Sequence, residues 1–107
     1  MADALELSPA EFDAAIADPA QPVLVDFWAP WCGSCRLLAP TVARLAETLD
    51  GVRVVTLDVD ADPALAERLG VRSVPTLVLY RGGAEIIRSN GVKSMTTLVD
   101  LLQPHLA

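Results

Sequence analysis

Only two cysteines occur among the 107 residues, Cys32 and Cys35, three apart. There is no second cysteine pair, and one histidine, His105, stands near the C-terminus. That is too few ligands for a zinc knuckle, which normally takes four. Covalent haem attachment needs histidine directly after the second cysteine, where Arg36 stands instead. No run approaches the ~20 consecutive apolar residues of a membrane span. No glycine-rich phosphate loop is present, so the chain is not expected to bind a nucleotide itself. Repeats, low-complexity tracts and linkers are also missing, and the expectation is one domain over residues 1–107. Basic charge is scarce: the net charge of −6 makes nucleic acid and anionic membranes poor partners. The N-terminal Met1-Ala2-Asp3-Ala4-Leu5-Glu6 is acidic where a secretion signal is basic and then apolar, which points to a cytoplasmic protein. A reducing compartment disfavours a structural disulfide and favours a catalytic or sensing one.

What is there is a strong apolar content of 52%, enough for a real core in one domain and against disorder. Residues 5–7 read as a first strand. Ser8-Pro9-Ala10-Glu11 forms a capping box with proline at the first helical position, ahead of an apolar stripe at Phe12, Ala15 and Ile16. Residues 22–29 read as a strand buried on both faces, with Asp26 its one charge. Residues 33–50 show helical spacing, with Cys35, Leu38, Val42, Leu45 and Leu49 on one side and Pro40 expected to kink the helix. Residues 52–59 give another strand. Asp62-Pro63 opens a short helix that Gly70 closes. Residues 76–81 and 84–89, joined at Gly82-Gly83, read as a hairpin. Ser94 caps a last helix with Met95, Leu98, Val99, Leu102 and Leu106 on its apolar face. The order βαβαβαββα predicts an α/β fold, a central mixed sheet covered by helices on both faces.

The cysteines fall at the junction between strand and helix, in Trp31-Cys32-Gly33-Ser34-Cys35. Cys32 lies at or just before the first helical turn, where unpaired N–H groups and the helix dipole favour a thiolate. Cys35 shares the buried stripe with Leu38 and Val42. An exposed, low-pKa sulfur beside a shielded one implies a nucleophile, Cys32, and a resolving partner, Cys35. Arg36 adds a little positive potential. A chance pair of core cysteines is the bland alternative, and the strand-then-helix context argues against it.

Phe27-Trp28-Ala29-Pro30-Trp31-Cys32-Gly33-Ser34-Cys35, then Pro40, then Val74-Pro75-Thr76, resembles the thioredoxin family over the whole chain. The resemblance implies a thioredoxin fold and a protein dithiol–disulfide oxidoreductase that reduces disulfides in cytosolic proteins. It also implies no bound cofactor beyond a reversible Cys32–Cys35 disulfide. A flavoprotein thioredoxin reductase would return it to the dithiol, so NADPH is used indirectly, and the expected state is a monomer. Asp26, read alone, could be a strand-end carboxylate facing water; by resemblance it is buried, raised in pKa, and accepts the proton of Cys35. The substrate surface implied by the resemblance comprises Trp28, Trp31, Gly33, Ser34, Val74, Pro75 and Gly91. Within it Pro75 follows a cis peptide bond, Val74 offers backbone groups, and Trp28 packs beneath the loop. Gly83 belongs to the hairpin turn.

Three departures from the family pattern bear on substrate preference. Ser34 replaces the usual proline and predicts a more oxidising pair. Thr56 stands where a lysine is common, which predicts a still higher Asp26 pKa. Asn90 replaces an apolar residue and is expected to make the docking patch slightly more polar. Asp58-Val59-Asp60-Ala61-Asp62 imitates the start of a calcium loop, but Pro63 and Leu69 occupy the positions that require glycine and glutamate; the stretch reads as a solvated acidic edge. Two other functional readings stay open: a binding or chaperone module on the same fold, and an oxidase- or isomerase-leaning variant because of Ser34.

Overall fold

The computed structural model describes residues 4–106; Met1-Ala2-Asp3, part of the N-terminal charge reading, and Ala107 lie outside the described residues. Five strands and four α-helices alternate: β1 (Leu5–Glu6), α1 (Phe12–Ile16), β2 (Val23–Trp28), α2 (Gly33–Thr48), β3 (Arg53–Asp58), α3 (Pro63–Arg68), β4 (Thr76–Arg81), β5 (Ala84–Asn90) and α4 (Met95–Leu102). This is the expected βαβαβαββα order. Short 3₁₀ turns at Pro9–Glu11, Val59–Ala61 and Gln103–His105 fill the joints. The sheet order is β1-β3-β2-β4-β5. β1 and β2 run parallel to β3, while β4 is antiparallel to β2 and β5 to β4. Parallel neighbours need a crossover: α2 supplies it between β2 and β3, while α1 carries the chain from β1 to β2 and leaves the place between them for β3. The β4–β5 turn is tight because Gly82 and Gly83 both take positive φ, 58° and 82°.

Alternation along the strands sends two sets of side chains to opposite faces. Val23, Val25, Phe27, Val55, Val78 and Tyr80 meet Phe12 and Ile16 of α1 and Leu65 of α3. Leu24, Val54, Leu77 and Leu79 meet Leu38, Val42 and Leu45 of α2 and Leu98 and Leu102 of α4. Each fully buried leucine or phenylalanine contributes roughly 1.5–3 kcal/mol relative to exposure. Phe12 adds an edge-on contact with Tyr80 at 5.4 Å between ring centroids.

The helix starts follow their sequence signals. The Glu11 carboxylate accepts from the Ser8 backbone N–H and hydroxyl, at 3.2 and 2.7 Å. The Asp62 and Ser94 side chains accept from Leu65 N–H and Thr97 N–H, both at 3.1 Å. Helix α2 continues through Pro40 as one segment; the ring leaves the Arg36 carbonyl without its usual donor. α2 ends at Thr48, short of the expected residue 50, because Leu49 turns to an extended conformation.

Candidate active site

Helix α2 begins at the end of the central strand, and its N-cap is Cys32 itself, with extended backbone at φ −88° and ψ 106°. The Cys35 backbone N–H donates to Cys32 Sγ at 3.1 Å. A sulfur held there faces the open donors of the first helical turn, the setting that favours a thiolate. The two cysteines form a disulfide, so the structure represents the oxidised state. A disulfide sulfur has no hydrogen to give; the Ser34 hydroxyl, 3.4 Å from Cys32 Sγ, is therefore the donor in that contact.

The expectation of an exposed Cys32 beside a shielded Cys35 is corrected: both are only 4% exposed. Ala29, with Trp28, Val59 and Val74 packed around it, encloses the pair. Val74 arrives from the far side of the sequence, and its carbonyl oxygen lies 3.6 Å from Cys32 Sγ. A contact across 42 residues leaves no trace in local periodicity.

Asp26 is buried in β2 at 4% exposure, not facing water. Its Oδ1 has no hydrogen-bond partner within the protein. Burial first, and the charge of Glu6 second, push its carboxyl up to about 7. Asp26 and Cys35 line one cavity of about 420 Å³, together with Glu6, Trp28, Arg36 and Thr56. That volume admits water, so a proton can pass between the two groups without direct contact.

The remaining surface assembles around the Val74–Pro75 bond, which is cis. Pro75 is buried and its carbonyl accepts from Gly91 N–H at 2.9 Å. Gly91 has φ +81°, a left-handed conformation that glycine adopts without strain. Trp31 is 68% exposed. Beside it runs a groove of about 310 Å³ whose walls include Val59, Asp60, Val71 and Val74. Gly33 is exposed at the start of α2, and Ser34 and Trp28 are half-buried. Arg36 bonds the Pro30 carbonyl at 2.9 Å, tying the loop across its base. Asn90 is exposed, yet its amide oxygen accepts from Thr76 Oγ1 at 3.0 Å, so one polar group of that residue is satisfied internally.

Two acidic residues at the site escaped the sequence reading. Asp60, read as a solvated edge, accepts from the Trp31 indole N–H at 3.0 Å and sets the ring over the groove. Glu6 accepts from the Trp28 indole N–H at 3.1 Å. Neither pairing has a local signal, since the partners lie 29 and 22 residues apart. The calcium-loop imitation dissolves: Asp58 caps the Val59–Ala61 turn and Asp62 caps α3. Among the described residues no cluster of His, Cys, Asp or Glu is suited to a metal ion, and no helix is long and apolar enough to cross a membrane.

A disulfide at the N-terminus of a helix, enclosed by a cis-proline loop on a five-stranded mixed sheet, defines a dithiol–disulfide oxidoreductase. The thioredoxin family model matches residues 3–104. "Thioredoxin 1" of Nostoc sp. is 40% identical over 107 residues, covering 99% of this chain and 100% of the relative. Thioredoxin of Chlamydia muridarum is 48% identical over 83 residues, covering 78% and 81%. A solved mutant thioredoxin from Halobacterium salinarum is 38% identical and superposes with a TM-score of 0.85, covering 97% of this chain and 90% of its own. The chain belongs to the thioredoxin family, and its activity is thioredoxin-type reduction of disulfides.

Proposed function

We propose that this protein is a general reductant of protein disulfides in the cytoplasm, acting as a monomer through Cys32 and Cys35. The Cys32 thiolate attacks a substrate disulfide; that S–S bond breaks, a mixed disulfide forms, and one substrate thiolate leaves. Asp26 then takes the proton of Cys35 through water in the shared cavity. The Cys35 thiolate displaces the second substrate sulfur from Cys32. The substrate gains two electrons and the protein is left with the Cys32–Cys35 disulfide. A flavoprotein thioredoxin reductase, drawing two electrons from NADPH, restores the dithiol. Val74 and Pro75 receive the substrate backbone, and Trp28, Trp31, Gly33, Ser34 and Gly91 complete the docking surface.

The observation that carries the order of attack is the Cys35 N–H donated to Cys32 Sγ. It favours negative charge on the first sulfur, while Cys35 shares a cavity with Asp26. The test is trapping with a disulfide-bonded peptide followed by intact mass measurement. Cys35→Ser should accumulate the covalent adduct at Cys32, and Cys32→Ser should form none. An adduct on Cys35 in the Cys32→Ser protein, at a comparable rate, would reverse the assignment.

A further inference from the structure

Three neighbouring strands place Glu6, Thr56 and Asp26 in one row across the sheet. Glu6 pairs with Thr56 in the β1–β3 register, and Thr56 pairs with Asp26 in the β3–β2 register. Directly paired residues project to the same face, here the one covered by α2. The row is therefore a line of side chains running from the sheet edge inward: an exposed carboxylate, a half-buried hydroxyl, a buried carboxyl. All three line the cavity that also holds Cys35.

Glu6 is fixed in that wall by three donors. Its Oε1 accepts from Trp28 Nε1 and from Thr56 Oγ1, both at 3.1 Å. Its Oε2 accepts from the Asp58 backbone N–H at 3.2 Å. An exposed carboxylate with three such bonds, on a two-residue strand, has lost the freedom a surface glutamate normally keeps. All three donors meet carboxylate oxygens and so place the group at the cavity rim. The other groups that face Asp26 do not offset this charge. Thr56 of β3 and Leu77 of β4, its register partners, are neutral. Cys35 comes from α2, as does Arg36, whose guanidinium is turned to the Pro30 carbonyl.

We propose that Glu6 is a positioning residue for the resolving half-reaction: it fixes Trp28 against the active-site loop and supplies the negative rim of the cavity through which Cys35 passes its proton to Asp26. The like charge makes Asp26 a stronger proton acceptor than burial alone would. This rests on Asp26 being the acceptor, as proposed above.

The test is a ¹³C NMR titration of the Asp26 carboxyl in intact protein, with the pH profile of single-turnover peptide-disulfide reduction. The titration is measured for the parent, Glu6→Gln and Glu6→Asp; the rate profile is measured for these, for Asp26→Asn and for the double variant Glu6→Gln/Asp26→Asn. Glu6→Gln should move the Asp26 midpoint down by about half a pH unit and shift the rate profile with it. Glu6→Asp, which keeps the charge, should fall between Glu6→Gln and the parent. In the Asp26→Asn background the Glu6→Gln shift should vanish. An unmoved Asp26 midpoint, with or without a change in Trp28 fluorescence, overturns the proposal. So does a profile shift that persists without Asp26. If Asp26→Asn alone leaves the profile intact, the acceptor reading fails instead, and the NMR midpoint still reports whether Glu6 acts on Asp26.

Discussion

At residue scale, Asp26 sets a conflict between stability and chemistry. Its carboxyl titrates at about 7 in the fold against 3.8 when solvated. Between those values the native state holds a proton that the unfolded chain has released, so stability falls as pH rises through that window and levels off above about 7. The cost at pH 8 is on the order of 4 kcal/mol. Asp26→Asn should therefore raise stability at pH 8 by roughly 3–4 kcal/mol and flatten its dependence between pH 4 and 7; denaturant melts across that range check it, and a variant no more stable than the parent at pH 8 refutes it. The same substitution should slow release of the second substrate sulfur. Ser34 offers a second test. Its hydroxyl donates to Cys32 Sγ, a bond that strengthens when the sulfur is a thiolate and so stabilises the reduced form. A hydrogen bond to a charged group is worth ~1.5 kcal/mol or more, on the order of 30 mV for a two-electron couple. Ser34→Pro should lower the reduction potential by about that amount in thiol–disulfide buffers; an equal or higher potential in the variant sinks the argument.

At the scale of elements, short helices depend on their caps because so few internal bonds hold them. Helix α3 has six residues and one capping side chain, Asp62. Asp62→Ala should cost about 1 kcal/mol in denaturant unfolding. Because Pro63 and Ala66 line the groove beside Trp31, the fluorescence of that ring should shift as well. No loss of stability would mean that packing of Leu65 alone holds the helix. The elements were also the most legible part of the fold. Serine or aspartate followed by proline and the double glycine act within a turn or so of chain, the apolar stripe of α2 from Cys35 to Leu45 recurs every three or four residues, and the chain obeys each. The boundary expected at residue 50 missed by two positions for a local reason: the chain turns extended at Leu49, ahead of Gly51 and its positive φ. Cys32 was read as exposed for the opposite reason: its cover comes from the loop ahead of β4, which no local pattern could reveal.

For the whole molecule, the net charge of −6 acts on encounter, not on the fold. Disulfide substrates with basic flanks should be reduced faster at low salt. Raising ionic strength about tenfold, which shortens the screening length about threefold, should slow them and speed acidic ones. Equal salt slopes of kcat/KM for a basic and an acidic peptide would remove steering from the account. The strand and helix order, the redox pair and the helix start that activates it were determined by the sequence alone, because each depends on residues within a few positions of one another. Only the tertiary structure decided that Val74 would close over Cys32, that Asp60 would hold Trp31, and that Glu6, Thr56 and Asp26 would fall in one row. Those contacts are fixed by sheet register and by the cis-proline loop, which join residues that the chain keeps more than twenty positions apart.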